Sequence, residues 1–327
     1  MSPRPAGVRV GGRVGPPVPA PPAPARVRAL LADGVRTLRA AGLATARQDA
    51  EWLLAEALGV NRLDLYTDPP AVGAAAARRY AAALARRAAH EPLQHLLGWE
   101  EFRGLRFGVG PAVLIPRPET ELLVEWALEF VPPGATVCDL GTGSGCVAAA
   151  IATARPDARV LAVELSAAAR AVAARNLAAL GLAARVTVLG GDLFEPLARW
   201  AGAVDLIVAN PPYIPTGTLA ALPAEVRAWE PRGALDGGSD GMAVSRRIIA
   251  GAPGVLARGG ALTIEIGEGQ APPLAATMRA RGFVDVTTRH DLGGVERYLA
   301  GAFGAASARG ARAARARPAA VRRAEGG

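Results

Sequence analysis

"ATVCDLGTGSGCVAAAIATA", residues 135–154, decides the fold. The apolar run Ala135–Leu140 meets glycines at 141, 143 and 145, and good helix formers follow from Cys146. Strand, glycine turn and helix in immediate succession open a βα unit. Glycines at alternate positions let the backbone approach a ligand closely, because no Cβ intervenes. A dinucleotide fingerprint would need its third glycine where Cys146 stands, so the G-x-G-x-G spacing argues against a pyrophosphate.

The pattern continues downstream. "ARVLAVELS" is a second strand and "AAARAVAARNLAAL" its helix; "RVTVLGGDLF" and "VDLIVANPPY" are the third and fourth strands. "GGALTIEIG" is the fifth, after the helix "MAVSRRIIAGAPGVLA", and "GFVDVTTRHD" with "VERYLAG" forms a final pair joined by "LGG". Alternating strands and helices specify an α/β sheet.

In such sheets ligands sit beyond the carboxyl ends of the strands. Asp139, Glu164 and Asp192 end the first three strands. Glu164 is placed to accept from ribose hydroxyls and Asp192 from an adenine amino group, with Leu193 against the base. Carboxylates repel phosphate and favour a sulfonium and an ammonium, so the set suits S-adenosylmethionine. The cofactor site is expected from Gly141, Thr142, Gly143, Ser144, Gly145, Glu164, Asp192, Leu193 and Asn210.

Composition bounds the remainder. The chain has 327 residues, 51% of them hydrophobic, enough for a sizeable core and more than one domain. No run approaches the roughly 18 consecutive apolar residues of a membrane helix. The N-terminal "PPVPAPPAPA" is no signal-peptide core, and a cytoplasmic protein is expected. Cys138 and Cys146 match no zinc spacing, and with three histidines in all no metal site is expected. The net charge of +8 could suggest nucleic acid, but residues 1–28 and 303–327 each hold +5, leaving −2 for residues 29–302. There is no lysine, so Arg-for-Lys carries little functional information.

Residues 1–25, rich in Pro, Gly and Ala, and 303–327, rich in Arg and Ala, are expected to be disordered. Residues 26–95 read as a small helical domain. Thr45 and Gln48 stand in capping-box spacing ahead of a helix that Gly59 can end. A β-hairpin linker is expected over 96–110 around "FRGLRF", and a catalytic domain over 111–302.

"VCDLGTGSG", "AVELS", "GDLF" and "ANPPYI" together resemble a class I methyltransferase acting on a planar nitrogen. "PLQHLLGWEEFRGLRFGVGPAVLIPRPETELLVE", "ARQDAEWLLAEALGVNRLDLY" and "VRAWEPRGALDGGSDGM" resemble the release factor glutamine methyltransferases more specifically. That resemblance covers roughly residues 28–300. It implies a Rossmann-like, seven-stranded, mostly parallel sheet with an antiparallel last strand and a small all-α N-terminal domain. It also implies a target, the side-chain amide of glutamine in the Gly-Gly-Gln loop of a class 1 peptide chain release factor, and a role in translation termination. A protein partner bound by a monomer is expected, with no membrane and no specific nucleic acid. The alternative is an exocyclic-amine methyltransferase on DNA or RNA, for which the slightly acidic core and the absence of a long insert are unfavourable.

An amide nitrogen is a poor nucleophile, because its lone pair is delocalised, and it carries two hydrogens that need acceptors once water is excluded. The Asn210 side-chain oxygen and the Pro211 carbonyl can each take one. A proline peptide offers a carbonyl and no N–H, so this polarity cannot reverse. Pro212 stiffens the turn, and Tyr213 is expected to stack on the amide. Asn210, Pro211 and Tyr213 are thus the expected catalytic residues, and with Pro212 they form the expected substrate site. Arg117 and Glu119 are candidates for the mouth of the site or for a helix-start loop, Phe102 for substrate contact or for filling the hinge, and Trp52 for the core of the helical domain.

Overall fold

The computed structural model describes residues 23–304, as two compact units that divide between Ala88 and Ala89. Residues 1–22 and 305–327 lie outside the described residues, and with them most of both expected tails.

The first unit contains α1 (Ala23–Ala40), α2 (Ala46–Leu58), α3 (Asp64–Thr67) and α4 (Ala74–Ala88). Val27, Leu31 and Leu38 line the buried stripe of α1, and Leu53, Leu54, Tyr80 and Leu84 complete the core. Two expectations change here. Helix α1 begins at Ala23, inside the stretch read as a tail, because Pro24 fits a first turn where its missing N–H costs nothing. Thr45 does not form a capping box: its hydroxyl donates to Asp49 at 2.9 Å, and Asp49 pairs with the buried Arg87 at 2.8 Å. The Thr45 backbone, at φ −86° and ψ 13°, lacks the extended conformation that aims an N-cap oxygen at the first-turn N–H groups. Gly59 does end α2, in the left-handed conformation.

The second unit opens with α5 (Leu93–Leu97) and the antiparallel hairpin β1 (Trp99–Phe102) and β2 (Leu105–Gly108). Arg103 and Gly104, both at positive φ, make its two-residue turn. Phe102, beside the turn, is buried edge-to-face against Phe107, so it belongs to the core. Then come α6 (Pro118–Leu128), β3 (Thr136–Leu140), α7 (Cys146–Ala154), β4 (Arg159–Glu164), α8 (Ala167–Ala179), β5 (Val186–Gly190), β6 (Val204–Ala209) and α9 (Ala224–Trp229). The unit closes with α10 (Ala243–Gly251), β7 (Leu256–Glu265), α11 (Ala271–Ala280), β8 (Phe283–His290) and β9 (Glu296–Phe303). Phe303, one residue into the expected C-terminal tail, is held in the sheet with its ring 5.7 Å from that of Phe283.

Seven strands form one sheet in the order β5-β4-β3-β6-β7-β9-β8. Strands β3 to β7 run parallel, and β9 lies antiparallel between β7 and β8. Alternate residues face opposite layers: Val137, Val160, Leu206 and Val208 pack with Trp126 and Ile151, whereas Cys138, Leu161, Ile207 and Ile264 pack with Ile248 and Leu274. Burial on both faces explains why these strands read as continuous apolar runs. The strand order reverses at β3, whose neighbours are β4 on one side and β6 on the other. Such a switch point leaves a crevice beyond the strand ends.

Candidate active site

A cavity of about 450 Å³ occupies that crevice. Its wall includes Gly141, Thr142, Gly143, Ser144, Glu164, Asp192, Leu193, Asn210, Pro211 and Pro212, together with Arg117 and Thr120 from the start of α6. Its size is that of a small-molecule site. Of the expected cofactor, catalytic and substrate residues, Gly145 and Tyr213 stand outside the wall, as do the further candidates Glu119 and Phe102.

The glycine loop is folded by its own residues. Gly141, Gly143 and Gly145 have φ of 74°, 55° and 84°, the left-handed region that side chains rarely adopt. A Cβ at Gly141 would meet no protein atom within 4 Å, so the wall there is bare backbone. Gly145 instead caps α7 and lies against Ala173. Asp139, 1% exposed, accepts from the Thr142 hydroxyl at 2.5 Å and from the Ala148 N–H at 3.1 Å. It pins the loop to the first turn of α7. Burial pushes its carboxyl up to about 7, against those two hydrogen bonds.

The strand-end acids are already engaged. Glu164 accepts from the Gly143 N–H at 3.0 Å and the Ser166 N–H at 2.9 Å, so it shapes the glycine loop. Asp192 stands two residues beyond β5 and pairs with Arg247 of α10 at 2.7 Å. Leu193 lines the cavity with φ of 52°, unusual for a branched side chain.

At the other end of the cavity β6 stops at Asn210. The Asn210 side-chain NH2 donates to the Thr120 hydroxyl at 2.9 Å, and that hydroxyl donates to the Glu265 carboxylate at 2.8 Å. Glu265 ends β7 and is 1% exposed; burial raises its carboxyl to about 7. Tyr213 has its ring 5.8 Å from the Arg297 guanidinium, and burial with the nearby Glu265 pushes its phenol up to about 12. Its carbonyl accepts from Gln270 at 2.9 Å, where Gly241 admits the contact: a Cβ there would lie 2.3 Å from that oxygen. Arg117 donates to Glu230 at 2.5 Å at the cavity wall. Glu119 begins α6, and its carbonyl accepts from the Tyr298 hydroxyl at 2.6 Å.

Sequence reasoning missed four side chains that hold this site: Thr120, Glu265, Gln270 and Asn176. Asn176 accepts from the Gly108 N–H at 2.8 Å and donates to the carbonyls of Gly108 and Ser144 at 3.0 and 2.9 Å. Glu265 left a signal, an acid at the end of the apolar run "ALTIEIG". Asn176, inside the Ala-rich helix α8, left none.

Comparison with known proteins converges on this chain from both ends. The model described as PrmC N-terminal domain matches residues 29–98, and the Methyltransferase small domain model matches residues 118–221. A protein of Geobacter sulfurreducens named release factor glutamine methyltransferase is 48% identical over 266 residues, 80% of this chain and 92% of that protein. One of the same name from Moorella thermoacetica is 47% identical over 259 residues, 78% of this chain and 90% of that protein. Among solved structures, the hMettl16 catalytic domain in complex with MAT2A 3'UTR hairpin 1 covers 68% of this chain and 81% of its own, at a TM-score of 0.53 and 20% identity, a likeness of fold.

Proposed function

Since the chain belongs to the release factor glutamine methyltransferase family, we propose that its cavity is where the side-chain amide of a release factor glutamine receives a methyl group on nitrogen. The glutamine meant is that of the Gly-Gly-Gln loop of a class 1 release factor, and the product supports translation termination. The methyl donor is S-adenosylmethionine. The bare backbone at Gly141 and Gly143, the carboxylates of Glu164 and Asp192 and the cavity volume all fit a nucleoside that carries positive rather than negative charge.

When bound, S-adenosylmethionine supplies an electrophilic methyl group. The chain's own residues do the rest. Glu164, held by its two backbone bonds, would accept from ribose hydroxyls. Asp192 would accept from the adenine amino group in place of its solvated pair with Arg247, which is worth little. Leu193 would lie against the base. Asn210 Oδ1 and the Pro211 carbonyl accept the two amide hydrogens and turn the nitrogen lone pair into the cavity. Pro212 keeps that turn rigid, and Tyr213 closes its outer side. The nitrogen exchanges one proton for one methyl group, and the proton passes to water. Rate comes from positioning and preorganised dipoles.

The observation that carries this reading is that one cavity wall holds both the glycine loop and Asn210-Pro211. The helical unit helps to hold the protein partner, the enzyme acts as a monomer, and its place is the cytoplasm. Among the described residues, no helix is long and apolar enough to cross a membrane. Incubation with methyl-labelled S-adenosylmethionine and either release factor or nucleic acid tests the proposal. Label is expected in the release factor and lost when its loop glutamine is replaced. Label in nucleic acid alone would overturn the choice of substrate.

A further inference from the structure

Asn210 is useful only one way round. Its amide carries an oxygen that accepts and a nitrogen that donates, and a half-turn of the side chain exchanges them. A substrate N–H needs the oxygen. The turn itself does nothing to select it, since Pro211 and Pro212 constrain backbone alone.

The selection comes from elsewhere in the fold. Thr120, from the first turn of α6, has one hydroxyl proton, and it goes to Glu265 at 2.8 Å. With that proton spent, the Thr120 oxygen can only accept, and it faces the Asn210 NH2 group at 2.9 Å. Asn210 Oδ1 is therefore turned away from Thr120, on a residue that lines the cavity. The chain Glu265–Thr120–Asn210 transmits polarity from a carboxylate to an amide. Glu265 and Thr120 are 1% and 3% exposed. A buried acid at a strand end is costly, and such groups persist where they are bonded and used. We propose that Glu265 and Thr120 are positioning residues of the methyl transfer, which fix the side-chain rotamer of Asn210 so that its oxygen receives the substrate N–H. The inference rests on the role given to Asn210 above.

The same chain makes the transfer sensitive to pH. Burial raises the Glu265 carboxyl to about 7; Thr120, Arg297 and Tyr213 pull it down, and Glu119 pushes it up. Tyr298, on β9, also faces this carboxylate. A protonated Glu265 can donate to Thr120, which frees the hydroxyl proton to point at Asn210 and permits the inverted amide.

The test uses the full chain with release factor and S-adenosylmethionine. Thr120→Val keeps the shape and removes the hydroxyl. It is expected to lower kcat roughly tenfold to hundredfold, the cost of misplacing a positioning group. The cofactor Kd and the KM for release factor should stay within about twofold. Thr120→Ser, which restores the hydroxyl, should recover most of the loss. Wild-type kcat should rise with pH across neutrality, and that limb should vanish in Thr120→Val. Wild-type turnover in Thr120→Val, a Thr120→Ser enzyme as slow as Thr120→Val, or an unchanged pH limb would each overturn the proposal. Asn210→Ala separates the two levels. If it is inactive while Thr120→Val is normal, only the positioning role fails; if Asn210→Ala is itself fully active, the role of Asn210 fails first.

Discussion

The glycine loop and the Asn210 turn lie at the ends of neighbouring strands, β3 and β6, yet they are fixed by opposite means. The loop is written almost entirely within itself. Its three positive-φ glycines, Asp139 and Thr142 all fall between residues 139 and 145, and Glu164 follows on the next strand. The turn is fixed from afar. Thr120 precedes Asn210 by 90 residues, and Glu265 lies one strand over on β7. A cradle for a cofactor can therefore be local, because it needs only backbone that comes close. A group that must present one atom rather than another needs an outside reference for its polarity.

That contrast can be broken most sharply at Asn210. Asn210→Ala should cost on the order of 10²-fold in kcat, as with loss of a preorganised hydrogen bond at a reacting centre. Single-turnover kinetics measure it, and near-normal turnover would remove the turn from the chemistry. The loop should fail differently. Gly143→Ala forces a side chain into the left-handed region, at a cost of about 1–2 kcal/mol, and places a methyl group on the cavity wall. Calorimetry should find weaker cofactor binding and a lower melting temperature, with kcat at saturating cofactor largely kept. A pure kcat defect would erase the distinction between the two ends.

Protonation offers a finer probe. Asp139 has its folded-state pKa raised to about 7 from an ordinary 3.8, so the folded protein holds a proton that the unfolded chain releases. The stability this confers is fully present below about pH 4 and is lost as pH rises through 7. Wild type without cofactor should therefore lose more melting temperature between pH 5 and pH 8 than Asp139→Asn does. Parallel curves would mean that Asp139 is ionised throughout. The smallest effect is expected at Arg247→Ala. Its pair with Asp192 is largely exposed, so stability should move by less than about 1 kcal/mol. A larger drop on chemical denaturation would make Arg247 part of the frame rather than a removable cover.

The same contrast explains what could be read from the sequence. The seven-stranded sheet, the glycine loop and the position of Asn210 were legible because each is a contiguous pattern: apolar runs, alternate glycines, a strand stopped by two prolines. Thr120 was legible only as a letter of "PRPET", and its hydroxyl gains meaning when α6 meets β6 and β7. The capping box at Thr45 fails because the backbone there is not extended, which the spacing of Thr45 and Gln48 does not reveal. Asp192 reads as a strand-end acceptor, and its partner Arg247, 55 residues on, leaves no local signal. The neighbours of Tyr213, Arg297 against its ring and Gln270 on its carbonyl, lie far along the chain and could not be read beside it. Asp192 and Tyr213 gain side-chain partners by tertiary packing, whereas the backbone differences, α1 beginning at Ala23 and β9 running to Phe303, lie at the edges of the expected tails.

Asn176 carries one last consequence. Its single amide holds both polar groups of Gly108 at the end of the hairpin and the Ser144 carbonyl of the glycine loop. Two pieces of backbone that are 36 residues apart are thus fastened by one knot. In the language of local opening, they form one cooperative unit: neither can breathe far without releasing the other. Opening the ribbon at the unit's beginning would break bonds on the same amide that holds the floor of the cradle, so slowed exchange at Gly108 and Ser144 should be lost together in Asn176→Ala.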